Sequence, residues 1–263
     1  MNPASRRPAG SGPVLVLAAH GTAWRCGLAT AEAIARRVGQ ARPELTVRLA
    51  YLDVARPRLP DVLAGCQGEV VVVPLLLSTG YHVRLDIPAV VAGACCRARV
   101  APPLGPDPLL ATALADRLTG AGWPDQPTGA RRGGVVLAAA GSREPQTASQ
   151  VAAMAGLLEH RLGRPVTPAY VHSGVSGVVD LRTAVRGSPR RPTIATYLLA
   201  DGYFARQVAA AAVELGAPVA APIGAHPALV TLVLRRYAEV VGQPQPGVLR
   251  RGVPRLDFSI THD

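Results

Sequence analysis

The sequence predicts an α/β fold made of two tandem lobes, each a mostly parallel sheet with helices on both faces, with a cleft between the lobes. Three observations carry this. Short unbroken apolar runs alternate with stretches of helical periodicity, the pattern of parallel strands covered on both sides. The order of elements then repeats: Tyr51 recurs as Tyr170, Gly80-Tyr81 as Gly202-Tyr203, and Pro103-Leu104-Gly105-Pro106-Asp107-Pro108 as Pro222-Ile223-Gly224-Ala225-His226-Pro227. An offset of about 120 residues with the same element order marks a duplicated domain rather than a solenoid. Finally, a Gly- and Pro-rich stretch without periodicity, Gly120 to Gly133, separates the copies.

The elements of the first copy follow in order. Val14–Ala19 reads as a buried parallel strand. Leu28–Gln40 reads as a helix, because Ala29, Ala33, Ile34 and Val38 share one face and Arg36 and Arg37 the other. Thr46–Leu52 is a second strand, and Pro57–Ala64 a short helix with proline in its first turn. Val70–Leu76 is a third strand. Ile87–Cys96 is helical, Arg97–Ala101 a short fourth strand and Pro108–Leu118 its following helix. The expected organisation is a first lobe over 13–119, a linker over 120–133, a second lobe over 134–241 and an irregular tail over 242–263, which holds three prolines and the pair Arg250-Arg251.

Composition narrows the function classes. The 263 residues are 49% hydrophobic and carry a net charge of +11, and every cationic side chain is arginine. Guanidinium grips carboxylates and phosphates with parallel hydrogen bonds, so this surface suits an anionic partner. Few aromatics and no recognised motif argue against nucleic acid. No run approaches the roughly 18 apolar residues of a membrane span, and the run after Pro13 leads straight into His20 without a small-residue cleavage site, so a cytoplasmic protein is expected. Cys26, Cys66, Cys95 and Cys96 lack zinc-site spacing and read as reduced thiols.

The chemistry-bearing residues stand at strand ends. His20 follows the first strand and His82 the third, after the turn Ser78-Thr79-Gly80-Tyr81. Asp53 follows the second. In open parallel sheets, ligands bind beyond the carboxyl ends of the strands. Three groups from three strand ends can therefore meet in one cleft, where two imidazoles and a carboxylate suit Fe2+, Co2+, Ni2+ or Zn2+ and neutral imidazole accepts protons near neutral pH. The second copy has Ala140 in place of His20 and Phe204 in place of His82, which predicts one chemical site and one scaffold copy. Arg84 reads as a grip for a carboxylate and Asp86 as a group steering metal or proton. Gly21, Thr22, Ser78, Thr79, Gly80 and Tyr81 form turns able to meet a ligand, and Asp201, Gly202 and Tyr203 line the far wall. His172 and His226 lack partner histidines and read as structural.

Ala19-His20-Gly21-Thr22 resembles the H-G-S/T opening of the class II tetrapyrrole chelatases. The run Pro74 to Pro88, with Gly80-Tyr81-His82 and Asp86-Ile87-Pro88, is similar to that family's second signature, G-x-H-x-x-x-D-I-P. The nearest branch is the sirohydrochlorin chelatases, and the resemblance spans roughly residues 13 to 240 as two tandem copies. It implies two chelatase-like lobes with the macrocycle between them, and His20 and His82 as both metal ligands and acceptors of pyrrole protons. Asp53, ahead of Pro57, holds the place of a family glutamate and is implied as a further metal ligand. The implied reaction is insertion of Fe2+ or Co2+ into sirohydrochlorin with release of two protons, toward sirohaem or cobalamin. The metal (Fe2+, Co2+ or Ni2+) is a substrate, and no prosthetic group is expected. The alternative is a non-catalytic metal or tetrapyrrole carrier on the same scaffold. Because a duplicated chain completes the cleft by itself, a monomer is expected.

Overall fold

The computed structural model describes residues 12–123, 133–141, 145–172 and 178–243. The first lobe runs β1 (Val14–Ala19), α1 (Arg25–Ala41), β2 (Val47–Tyr51), α2 (Leu59–Ala64), β3 (Glu69–Leu75), α3 (Ile87–Ala92), β4 (Arg97–Val100) and α4 (Pro108–Gly120). Its four strands are all parallel in the order β2-β1-β3-β4. Register places Ala19 beside both Tyr51 and Leu75. Three chains therefore leave the sheet along one edge, and His20, Asp53 and the segment leading to His82 all start there.

Alternation along the strands sorts the core into two faces. Leu15, Leu17, Val71 and Val73 point to one side, against Ile34 and Val38 of α1 and Leu110, Leu114 and Leu118 of α4. Val16, Ala18, Val70 and Val72 point to the other, against Leu59 and Leu63 of α2 and Ile87 of α3. Apolar on both faces, the strands need helices on both sides, and the unbroken runs in the sequence follow from that.

The second lobe comprises β5 (Val135–Ala139), α5 (Pro145–Leu162), β6 (Val166–Tyr170), α6 (Leu181–Gly187), β7 (Thr193–Tyr197), α7 (Tyr203–Leu215) and α8 (Pro227–Val241). Its parallel sheet has three strands, ordered β6-β5-β7. The expected fourth shrinks to a single parallel bridge between Ile194 and Val219, because Pro218 has no N–H to give a ladder. Two bonds persist there, Ile194 N to the Pro218 carbonyl and Ala220 N to the Ile194 carbonyl, each at 2.8 Å. The lobes share one core: α1, α4, α5 and α8 form a common helical layer, in which α4 reaches β7 and α8 reaches β3. Trp123, at the start of the expected linker, is buried in that core. Residues 124–132 of the linker and 244–263 of the tail lie outside the described residues.

The duplicated Pro-Leu-Gly-Pro-Asp-Pro motif has a structural purpose. Asp107 caps α4 by accepting from Leu109 N at 2.9 Å, and His226 caps α8 by accepting from Ala228 N through Nδ1 at 3.2 Å, with proline following each cap. His226 is thus structural, as its lack of a partner histidine predicts. Its Nε2 faces Asp116 at 3.2 Å. Burial pushes its pKa down, outweighing the pull of the Asp116 carboxylate the other way. A depressed folded pKa means that the neutral ring stabilises the fold above the unfolded value of about 6.5 and that this contribution is lost as pH falls through the folded pKa. Urea unfolding at pH 7.5 and 5.5 is expected to show a stability loss on acidification that is smaller in His226→Asn, which keeps a capping acceptor without titrating.

Candidate active site

His20 is placed by a tight turn. Asp53 N donates to the His20 carbonyl at 2.8 Å and Leu52 N to the Ala19 carbonyl at 2.9 Å, extending the β1–β2 ladder beyond the strands. The chain then leaves through Gly21 at φ +94°. The second lobe repeats this with Val171 N to Ala139 O (2.9 Å), His172 N to Ala140 O (3.1 Å) and Gly141 at φ +104°. His172 therefore occupies the place of Asp53, as the sequence alignment of the copies requires.

His82 lies inside a helix and not in the loop before one. The helical path begins at Tyr81, passes through a π-helical turn over His82–Asp86 and continues as α3, six residues earlier than the expected start at Ile87. Pro88 explains the wide turn. It lacks an N–H and its ring crowds the carbonyl four residues back, so the bonding shifts outward by one residue, from Ile87 N to the His82 carbonyl. On this turn His82 and Asp86 share a face, and His82 Nδ1 meets Asp86 Oδ2 at 2.5 Å. With Nδ1–H donating to the carboxylate, Nε2 carries the free lone pair. Asp86→Asn is expected to weaken Co2+ binding by about 10- to 100-fold, measured by titrating the cobalt absorption bands. Full retention of affinity would remove Asp86 from this role.

The two imidazoles come together. Their ring centres lie 4.5 Å apart with planes inclined at 69°. Both line a cavity of about 510 Å3 between the lobes, with Ser78, Gly80 and Tyr81 on one side and Ala140, Gly141, Thr147 and Phe204 on the other. Ala140 and Phe204, the counterparts of the two histidines, thus face them across the cleft. A neighbouring cavity of about 450 Å3 shares His20 and Phe204 and is lined by Gly21, Thr22, Trp24, Asp201, Gly202 and Tyr203. The expected ligand-binding residues therefore divide between two compartments that meet at His20.

Three residues sit elsewhere. Thr79 lines neither cavity and is bonded to Gln150 of α5. Arg84 is exposed and also lines neither. The Asp53 carboxylate accepts from Val54 N at 2.8 Å and pairs with Arg58 at 3.6 Å. Among the described residues, no group of three or more His, Cys, Asp or Glu is assembled as a metal-holding set, so the histidine pair stands without Asp53 beside it.

The sequence singled out Tyr81 and Tyr203 for the cleft but gave no such role to Trp24 or Phe204. Every exposed aromatic among the described residues, namely Trp24, Tyr81, Tyr203 and Phe204, lines one or both cavities. Tyr203, Phe204 and His172 pack edge to face at 5.4 to 6.1 Å, and Arg206 stacks over Trp24 at 4.1 Å. The aromatic content is low, and that Trp24 and Phe204 join Tyr81 and Tyr203 here is visible only in the fold. Thr147 was missed as well. It is buried, and its hydroxyl has no partner among the described residues.

The family model for CbiX matches residues 14–121 and again residues 134–240. The chain belongs to the CbiX family. Its two family repeats coincide with the two sheets and with the duplicated turns at His20 and Ala140. Among solved structures, SirB from Bacillus subtilis with Fe3+ is 21% identical with a TM-score of 0.74, covering 88% of this chain and 96% of that one. The sirohydrochlorin chelatase SirB from Bacillus subtilis subspecies spizizenii in complex with cobalt is also 21% identical, with a TM-score of 0.69 and the same coverage. CbiX described as the terminal enzyme for siroheme biosynthesis in denitrifying bacteria is 23% identical, with a TM-score of 0.65, covering 86% and 98%. At these identities the likeness establishes the shared two-lobed fold. No curated protein matches the sequence. No helix among the described residues is long and apolar enough to cross a membrane.

Proposed function

We propose that this CbiX family member inserts a divalent metal, Fe2+ or Co2+, into sirohydrochlorin and releases two protons. The observation that carries the reading is the His20–His82 pair, 4.5 Å between ring centres in an interlobe cavity. Metal–imidazole bonds of about 2.1 Å, with about 1.1 Å more from nitrogen to ring centre, put two rings that share an ion about 4.5 Å apart when the bonds are near a right angle. The pair therefore suits one ion held at adjacent coordination positions. The SirB structures, one with Fe3+ and one in complex with cobalt, point the same way.

The residues divide the work. His20 and His82 hold the metal on one side of the macrocycle, and Asp86 fixes the His82 tautomer so that Nε2 faces the ion. As each pyrrole N–H bond breaks and a metal–nitrogen bond forms, the protons pass to imidazole lone pairs freed by the departing metal, and from there to solvent. Trp24, Tyr81, Tyr203 and Phe204 offer ring faces and edges to a flat conjugated substrate. The arginine-only positive charge of the chain draws a polycarboxylate toward the cleft. The cleft closes within one chain, so the reaction requires no second copy.

Purified protein mixed with sirohydrochlorin and Co2+ or Fe2+ tests this through the visible spectrum. Many metallated products per protein molecule are expected. Stoichiometric binding with the uncatalysed metallation rate would replace the enzyme with a carrier.

A further inference from the structure

The segment that delivers His82 is tied down by the opposite lobe. Between the end of β3 at Leu75 and the helix start at Tyr81, three side-chain bonds arrive from the second copy. Tyr197 of β7 donates its hydroxyl to the Leu77 carbonyl at 3.0 Å. Thr79 N donates to Gln150 Oε1 at 2.8 Å, and Gln150 Nε2 donates to Thr79 Oγ1 at 2.9 Å. One primary amide thus satisfies both the backbone and the side chain of a single residue, which fixes position and orientation together. Tyr197 is buried, and burial pushes its hydroxyl pKa far up, so it stays protonated and remains a donor.

The consequence shows in what faces the cavity. Ser78, Gly80, Tyr81 and His82 line it, while Thr79 between them does not. The amide holds Thr79 against α5 and presents its neighbours to the cleft. The duplication supplies an internal comparison. Buried Ala31, Ile34 and Val38 of α1 match buried Val151, Met154 and Leu158 of α5, so Gln150 corresponds to Thr30. The Thr30 hydroxyl bonds the Cys26 carbonyl of its own helix at 2.9 Å. The amide clamp thus acts on the loop that ends in an imidazole, and Thr30 in the other copy is occupied locally.

We infer that Gln150 is a positioning residue for His82: the lobe that lost both histidines holds the Ser78–Tyr81 loop and so keeps the His82 ring beside His20. This rests on the metal-insertion reading above. It turns the second copy from a scaffold into a part of the site.

Gln150→Leu removes both bonds at similar volume, whereas Gln150→Glu keeps an acceptor for Thr79 N and a second oxygen for the Thr79 hydroxyl. Co2+ titration of the protein alone, kcat and KM for sirohydrochlorin, and amide exchange over residues 78–86 are measured together. Gln150→Leu is expected to weaken Co2+ binding and lower kcat by about tenfold, with KM nearly unchanged and exchange at Thr79 accelerated. Gln150→Glu is expected to stay within about threefold of the original on every reading. In Thr79→Val/Gln150→Leu, no further loss is expected beyond that of Gln150→Leu, since the two act as one unit. Wild-type Co2+ affinity and kcat in Gln150→Leu overturn the inference, as does an equal loss in Gln150→Glu. The metal-insertion reading fails separately, if His82→Ala leaves metallation intact.

Discussion

His20→Ala and His82→Ala are each expected to lower catalysed metallation of sirohydrochlorin by at least about 10²-fold, the scale of a lost general base, and to abolish tight binding of Co2+. Each variant leaves a single imidazole, and among the described residues no third His, Cys, Asp or Glu completes a metal-holding set with the pair, Asp86 being engaged with His82 Nδ1. One ring cannot both hold the ion and chelate it against its neighbour. The two losses are therefore expected to be strongly non-additive. His20→Ala/His82→Ala should be little worse than either single variant, because residues acting as one unit fail together. Neither side chain is buried in a core: His20 is exposed and His82 is 28% exposed at its side chain. Thermal midpoints should accordingly move little, which separates lost chemistry from lost fold. Metallation rates and Co2+ titrations that match the original in both variants would remove the pair from the reaction.

How much of this was visible beforehand follows from the range of the interactions. The strands were legible because a sheet covered on both faces leaves an unbroken apolar run, and Val70–Val73 have no exposed side. Convergence of His20 and His82 was legible too, since parallel strands in register end along one edge. The start of the helix at Tyr81 was not, because Pro88 reads as an N-terminal signal and its effect on the preceding turn depends on backbone geometry. Nor was the shortened second sheet, which depends on how Pro218 meets Ile194. Asp53 was placed at the correct strand end, but its orientation is set by Val54 N and Arg58, and no strand-end argument reaches side-chain direction. Contacts between the copies were hidden altogether: Thr79 and Gln150 stand 71 positions apart, and no periodicity links them. Duplication made Ala140 and Phe204 look like vacated positions. The fold shows that they form the wall opposite the imidazoles.

Gly21→Ala is expected to destabilise the protein by at least about 2 kcal/mol, from the positive φ alone, and Gly141→Ala by a similar amount. Gly21 sits at φ +94° and Gly141 at φ +104°, where an L side chain is strained. The second penalty is steric. A Cβ at Gly21 would overlap the Asp53 carbonyl oxygen, and one at Gly141 the His172 carbonyl oxygen. Neither oxygen can retreat freely, because the adjoining amides Asp53 N and His172 N are bonded to the carbonyls of His20 and Ala140. In a chain of this length about 2 kcal/mol lowers the thermal midpoint by roughly 4–8 °C. The stability effects of the two substitutions should match, and the catalytic effects should diverge. Relief of the clash at Gly21 must shift either Asp53 or His20 itself, and a displaced imidazole no longer meets His82. Relief at Gly141 moves Ala140, which has no ligand atom to lose. Metallation per folded molecule, measured well below both midpoints, is thus expected to fall at least about tenfold in Gly21→Ala and to stay near the original in Gly141→Ala. Equal catalytic loss in both variants would mean that the turn in the second lobe sets the cleft as strongly as the turn that bears the histidine.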